Sequence, residues 1–300
     1  MSIFCTSMTD SLTRVLVRHP SIGFVSQSFL DERWKDFGYL ECPDYLQACR
    51  DFDEFVAVLE RNQVEIDFLE GVEKSSPDSI YVHDPAETIG NALLLCRMGK
   101  HLRRHESERF STFAAEKNIP LLGEITGPGL LEGGDIVWLD NKTIAVGEGY
   151  RSNRSGIDQL EKLAAPFVDE VLRVSLPHWR GESDVLHLMS LISPVSDRVA
   201  AVFRPYLPVP FLQELERREF TLIDIPENEL DTLGCNILPL GRGVCVMANG
   251  NPESRRRLES AGIAVETYPA AEISMKGQGG PTCLTRPLIR RARPTISTSR

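Results

Sequence analysis

The sequence predicts an α/β fold built as a pseudo-symmetric ring. Five units follow one another about sixty residues apart, each reading as one or two β-rich strands, a charged helix and a further strand; such a period marks repeat architectures. Gly-x-Gly-x-x-Gly and P-loop fingerprints are missing from the 300 residues, so neither a dinucleotide nor a nucleotide fold gains support. An ordinary doubly wound sheet is the alternative that the same elements allow. The hydrophobic content of 42% and charged content of 25% are those of a globular enzyme with a substantial core. One catalytic domain over 12–288 is expected.

The elements are assigned from periodicity and punctuation. The first unit opens on a strand at 14–18. A helix over 43–62 follows, with Leu46, Phe52, Phe55, Val56 and Leu59 at helical spacings, and then a strand at 64–69. The second has strands at 79–82 and 92–95, a basic helix over 102–117 and an extended segment at 120–122. The third has strands at 135–139 and 143–146 joined by an Asn141-Lys142 turn, a helix over 152–164 and a strand at 171–174. The fourth, 187–225, holds a strand at 199–202, a helix at 210–217 and a strand at 220–223. The fifth, 236–288, holds a strand at 243–247, a helix opened by Asn251-Pro252-Glu253 and a strand at 263–265; proline suits the first helical turn. Residues 289–300, basic and rich in Ser, Thr and Pro, are expected to form a disordered tail.

Charge and cysteine usage narrow the partners. The net charge of −10 argues against nucleic-acid binding and mildly favours a small cationic ligand. The seven cysteines are odd in number, irregularly spaced and without a C-x-x-C pair, which fits neither a disulfide framework nor a zinc site. A reducing, cytoplasmic compartment fits them best. The first twelve residues lack the basic and apolar pattern of a secretory signal, and no apolar run reaches the ~20 residues of a membrane span.

Cys283 is the leading candidate for chemistry. It follows Gly277-Gln278-Gly279-Gly280-Pro281-Thr282, a stretch that lets backbone approach a ligand closely, and a thiol is a capable nucleophile near neutral pH. Asp78, His83 and Asp84 fall in one short segment. If that segment is a strand, Asp78 and Asp84 share a face and could grip two cationic ends of one ligand; the alternative makes both turn residues, with Asp84-Pro85 as a turn opener. Glu132, between apolar residues and Gly133-Gly134, is either a carboxylate held at a site or a solvated residue of a bulge. His187, read as part of an apolar strand, is either a hydrogen-bonded core residue or a general acid/base. Arg97 and Arg151 each follow a strand and either hold a carboxylate or lie in solvent.

Taken in order, these pieces resemble the guanidino-group-modifying superfamily, the penteins, and within it the dimethylarginine dimethylaminohydrolases. The resemblance runs from Arg14 to Pro287. It is carried by Asp78 with His83-Asp84-Pro85, by Arg97-Met98-Gly99 with Arg103-Arg104, and by Leu131-Glu132-Gly133-Gly134-Asp135. Val146-Gly147 with Arg151-Ser152-Asn153, Leu186-His187-Leu188 and Gly279-Gly280-Pro281-Thr282-Cys283 complete it. It implies a five-bladed α/β propeller of ββαβ units around a central site, with Cys283 as nucleophile and His187 as acid/base. It further implies Glu132 and Asp84 as carboxylates on a guanidinium, Asp78 near the substrate's α-amino end, and Arg97 and Arg151 on its α-carboxylate. His83 stands where dimethylarginine hydrolases commonly carry Glu, and leans toward arginine deiminases. Met189 stands where deiminases carry Asp, and leans the other way.

The implied reaction is hydrolysis of an arginine-like guanidine through a covalent thiouronium, releasing citrulline or a related ureido product with an amine or ammonia. It requires no metal or cofactor. Arginine deimination, amidinotransfer and a non-catalytic propeller scaffold are the competing readings, and a homodimer is in keeping with the resemblance.

Overall fold

The computed structural model describes residues 1–184 and 186–292. Strand β1 (Ser11–Val17) leads through helices α1 (Pro20–Gly23), α2 (Gln27–Arg33) and α3 (Tyr45–Arg61) to β2 (Glu65–Phe68). The next unit comprises β3 (Ala86–Ile89), β4 (Ala92–Leu95), α4 (Glu106–Lys117) and β5 (Leu121–Glu124). The third comprises β6 (Ile136–Trp138), β7 (Thr143–Glu148), α5 (Arg154–Ala164) and β8 (Glu170–Ser175). The fourth comprises β9 (Ile192–Ser196), β10 (Val199–Val202), α6 (Val209–Arg217) and β11 (Thr221–Asp224). The fifth comprises β12 (Ile237–Gly241), β13 (Val244–Ala248), α7 (Pro252–Ser260) and β14 (Ala264–Tyr268), after which the chain ends its described course in β15 (Arg286–Arg291).

Each unit forms a three-stranded sheet, giving five in the described residues. In every sheet the middle strand runs antiparallel to the first and parallel to the third. The parallel step needs a crossover, and the unit's long helix supplies it. The middle strands β4 and β10 are almost wholly apolar and buried, the composition expected of strands covered on both faces. The helices bury one stripe each: Ala48, Phe52, Phe55 and Leu59 of α3, and Ile157, Leu160 and Ala164 of α5, follow the helical repeat. The pseudo-symmetric ring is therefore the fold, and the doubly wound sheet is not.

The ring closes between chain ends. In the first sheet the place of the first strand is taken by β15, which pairs antiparallel with β1. The first strands of the units pack on one another around the axis, β15 against β3, β6 against β9 and β9 against β12. This closure corrects both expected boundaries. Residues 289–291 belong to β15 rather than to a tail, because Arg290 is buried and its guanidinium donates to Asp10 O and Pro239 O at 2.7 and 2.9 Å. At the other end, Ile3 and Cys5 are buried, and Phe4 and Cys5 bridge to Ile289 and Gly90. The remainder of the expected tail, 293–300, lies outside the described residues.

Two local expectations are also corrected. The strand at 79–82 is a 3-10 turn, Pro77–Ile80; Pro77 has no N–H for a ladder, and Ser79 Oγ closes the turn on Ser76 O at 2.6 Å. Asp78 and Asp84 therefore do not share a sheet face. His187 is not within a strand. It precedes the 3-10 turn Leu188–Ser190, and its N–H donates to Ser190 Oγ at 3.2 Å.

Helix α5 shows how the ring fixes an approach to the axis. Asn153 caps it by accepting from Gly156 N at 2.9 Å, and the same Oδ1 accepts from Leu130 N at 3.0 Å. Gly156 lies so close to Leu130 that a Cβ would land on its carbonyl oxygen. Helix and segment are thus joined without side-chain spacing two residues ahead of Glu132. Gly156→Ala is expected to cost about 1–3 kcal/mol by overpacking, read as a lower denaturation midpoint in urea; a change under about 0.5 kcal/mol would contradict this account of the contact.

Candidate active site

Five side chains meet near the axis, each placed shortly before the innermost strand of its own unit: Asp84 before β3, Glu132 before β6, His187 before β9, Asn236 before β12 and Cys283 before β15. A ring of repeats converges one such position per unit on a common centre, which is why residues up to two hundred positions apart form one site.

Glu132 is fully buried. Its Oε2 lies 2.7 Å from His187 Nε2 and 3.6 Å from Arg151 Nη1, while Oε1 accepts from the backbone N–H of Lys100 at 3.0 Å. The other imidazole nitrogen, Nδ1, faces Asp84 Oδ1 at 3.9 Å. Gly134 makes this meeting possible: a Cβ there would stand 2.5 Å from His187 Nδ1 and 2.9 Å from Asp84 Oδ1. Its N–H instead donates to Asp84 Oδ1 at 3.1 Å. Asp135 orients the histidine from behind, accepting from Leu188 N at 3.0 Å and from Ser152 Oγ at 2.6 Å.

Electrostatics follow from this packing. Burial alone would push the His187 imidazole down, but Asp84, Asp135 and Glu132 outweigh it and raise it to about 9. Burial likewise opposes the charge on Asp84, yet His187 and the Arg103 guanidinium hold that carboxyl well below the usual range. Arg103 is itself buried, donating to Asp84 Oδ2 at 2.7 Å, to Glu106 Oε2 at 2.9 and 3.0 Å and to Tyr81 O at 2.8 Å. The resting cluster thus pairs an imidazolium with carboxylates that are charged and hydrogen-bonded, the condition under which buried charge is tolerated.

Cys283 stands on the wall of a cavity of about 300 Å³ that His83, His187 and Asn236 also line, with Trp179, Leu186, Met189 and Leu233 as its apolar side. Asn236 Nδ2 lies 3.3 Å from Cys283 Sγ, and Asn236 Oδ1 accepts from Thr282 N at 3.1 Å, which ties the side chain to the cysteine loop. Burial first, and then the Asp84 charge, push the Cys283 thiol up to about 12. Without a ligand the sulfur is a thiol beside an imidazolium.

The other expected ligand-binding residues are distributed differently. His83 lines the cavity; its Nδ1 donates to Thr285 O at 2.8 Å, so Nδ1 carries the proton and Nε2 is a buried acceptor with no protein partner. Burial, then the Arg286 charge, hold this imidazole well below 6.5, and it is neutral. Asp78 forms an internal ion pair with Lys100 at 2.5 Å. Arg97 donates to Gly129 O at 3.2 Å and is not on the cavity wall. Arg151 backs Glu132 and reaches a neighbouring hollow, which shares Trp179 and Leu186 with the cavity. The structure therefore brings Cys283, His187, Glu132, Asp84 and His83 together, and leaves Asp78, Arg97 and Arg151 behind or beside them. Sequence reasoning missed Asn236 and Lys100, which sit in no motif; the position of Asn236 before β12 was its signal.

Asp84, Glu132 and His187 offer three ligand atoms within 4.8 Å of one another, a spacing compatible with a metal ion. Those atoms already face the protein's own cations, Arg103, Arg151 and the imidazolium, so an ion would have to displace the His187–Glu132 hydrogen bond. No helix of the described residues is long and apolar enough to cross a membrane.

Known proteins share this architecture. An N(G),N(G)-dimethylarginine dimethylaminohydrolase from Streptomyces coelicolor is 29% identical over 213 residues, covering 70% of this chain and 74% of that protein. An arginine deiminase from Listeria welshimeri is 28% identical over 260 residues, covering 71% of this chain; the chain spans 62% of the deiminase's length. The crystal structure of a Pseudomonas aeruginosa DDAH mutant complexed with citrulline superposes with a TM-score of 0.73 at 22% identity, covering 92% of this chain and 99% of that one. Residues 43–290 match the family model described as N,N dimethylarginine dimethylhydrolase, eukaryotic. The chain belongs to that family, within the pentein fold.

Proposed function

We propose that this hydrolase of amidine C–N bonds cleaves an N-alkylated guanidine, with Cys283 as the attacking group. The observation that carries the reading is the His187 imidazolium, held by Glu132 and Asp84 on the cavity that Cys283 lines. A guanidinium carbon is a weak electrophile, because its charge is spread over three nitrogens. Carboxylates aligned with its N–H groups fix its orientation, and Asp84 and Glu132 supply them. The bound cation also stabilises an adjacent thiolate, lowering the Cys283 thiol from its resting value so that its proton passes to solvent water before attack.

Thiolate attack on the carbon gives a tetrahedral adduct. His187 then delivers its proton to the departing nitrogen, the C–N bond breaks, and an S-alkyl thiouronium remains on Cys283. The neutral imidazole next takes a proton from water; the hydroxide adds, the C–S bond breaks, and a ureido product leaves as the thiol is restored. Met189, an apolar residue on the cavity wall two positions after His187, supports alkyl substituents on the departing nitrogen over a bare guanidine, which would call for a further hydrogen-bond acceptor there.

Three outcomes test the reading. Against a panel of methylated and unmethylated guanidines, wild-type protein should form a ureido product and release alkylamine in equal amount, and Cys283→Ala should form none; ureido product from Cys283→Ala overturns the mechanism. Alkylation of ligand-free Cys283 by iodoacetamide should accelerate about tenfold per pH unit from pH 7 to 9, since the thiolate fraction rises at that rate below a thiol value of about 12; a plateau in that interval contradicts a protonated resting thiol. Glu132→Gln should bring the His187 titration, followed by NMR, down from about 9 toward 6.5, and lower kcat by about 10²–10⁴-fold.

A further inference from the structure

Both nitrogens of the His187 ring are directed at carboxylates, Nε2 at Glu132 and Nδ1 at Asp84. The Cys283 sulfur takes its hydrogen bond from another residue. Asn236 Nδ2 donates to Sγ at 3.3 Å, the one side-chain hydrogen bond to that sulfur among the described residues. Asn236 lines the same cavity as Cys283 and is itself only 8% exposed.

The amide is fixed in direction. Its oxygen accepts from Thr282 N at 3.1 Å, so the atom turned to the sulfur is the nitrogen, which can only donate. The Asn236 N–H donates to Leu233 O at 2.9 Å, and Thr282 Oγ1 donates to Ile237 O at 3.2 Å, which clamps the cysteine loop to the segment that carries the amide. Gly280 leaves the room for it, since a Cβ there would land on the Asn236 amide. Part of the glycine run ahead of Cys283 thus makes way for a side chain of the protein.

The chemistry at this position calls for a donor without charge. A hydrogen bond to an ionised acceptor is about twice as strong as one to a neutral acceptor, so the amide N–H favours thiolate over thiol. A cation here would favour thiolate too, but would repel an incoming guanidinium; a carboxylate would hold the proton on the sulfur. We infer that Asn236 is a catalytic residue: its Nδ2–H stabilises negative charge on Cys283 Sγ, both when the thiol gives up its proton and when the sulfur is later expelled. The inference rests on the guanidine-hydrolase reading and deepens it. In the expulsion step, hydroxide has added to the thiouronium. The adduct's hydroxyl becomes the ureido carbonyl as the C–S bond breaks, the bonding pair stays on sulfur beside the amide N–H, and the hydroxyl proton restores the thiol.

Two substitutions separate this role from a structural one. Asn236→Asp keeps the size of the side chain and an oxygen for Thr282 N, but turns a carboxylate oxygen to the sulfur. Asn236→Ala removes the donor and the Thr282 contact together. Iodoacetamide alkylation of the ligand-free protein near pH 8, read at the Cys283 peptide by mass spectrometry, should slow about threefold or more in Asn236→Ala and about tenfold or more in Asn236→Asp, because the thiolate fraction falls faster than its nucleophilicity rises. With a methylated guanidine, kcat should fall about tenfold or more in both, with KM changed less than about threefold. A merely structural role ranks the variants the other way, since Asn236→Asp retains the Thr282 contact. Gly280→Ala, which displaces the amide without altering it, is carried alongside with thermal unfolding of each protein, and must slow alkylation and turnover in the same direction. Alkylation of folded Asn236→Asp at the wild-type rate, Asn236→Ala slower than Asn236→Asp, or kcat unchanged in the folded variants overturns the assignment while leaving guanidine hydrolysis intact. Absence of turnover for every guanidine, with Cys283 intact, overturns the hydrolase reading and the catalytic role of Asn236 with it.

Discussion

The contact between Glu132 and His187, 2.7 Å long and closed to solvent, is the constraint around which the centre of the ring is arranged. An imidazolium and a carboxylate brought together out of water recover their desolvation only if their remaining hydrogen-bonding positions are also met. The surrounding residues meet them. Lys100 N–H takes the second oxygen of Glu132, Ser152 Oγ accepts from the Glu132 N–H at 3.0 Å, and Asp84 faces the far side of the imidazole. Asp84 in turn needs Arg103, and Arg103 needs Glu106. The chain of charges ends in helix α4, so the protonation state of one histidine is underwritten by a whole unit of the fold.

That arrangement divides labour between charge and shape. The carboxylates keep His187 protonated, while burial, with the Asp84 charge added to it, keeps Cys283 a thiol. A sulfur with little thiolate is poorly exposed to adventitious oxidants and alkylating agents. The six other cysteines remain free, and Cys5, Cys235 and Cys245 are raised to about 12 by burial, in keeping with their role as small apolar core residues.

Much of this was legible in the sequence, and the reasons differ by residue. The period of about sixty residues and the apolar middle strands gave the ring, because each unit repeats the same burial problem. Glu132, His187, Asp84 and Cys283 stood out because their types and their Gly-rich neighbours are expensive to place in a core without a purpose. The ion pair of Asp78 with Lys100 was not legible, since it joins segments whose relation is set by a 3-10 turn that replaces the expected strand. The sequence offers Arg97 and Arg151 either as holders of a carboxylate or as solvated residues, and it does not reveal whether a carbonyl of its own loop, such as Gly129 O, or a buried carboxylate will claim them first. Asn236 carries no unusual context, and only the repeat places it beside the sulfur.

The location of Cys283 ties assembly of the site to closure of the ring. It precedes β15, the strand that completes the first sheet by pairing with β1 across nearly the whole length of the chain. The loop is fixed from two other units at once: Asn236 of the fifth holds Thr282 N, while in the second the His83 N–H donates to Cys283 O at 3.2 Å and the buried Glu87 pairs with Arg286 at 2.6 Å. Contacts of such sequence separation form only after the loops between them have been closed, and their entropy cost is recovered by the final packing. Cys283 therefore reaches its partners at the step that makes the ring complete, and no smaller part of the described chain brings these residues together. Lys100 shares in that logic from the opposite side, since it links the Phe37 loop of the first unit to Asp78 and, through its backbone, to Glu132 of the third. Lys100 thereby holds three units in register on the side of the ring opposite the closing strand.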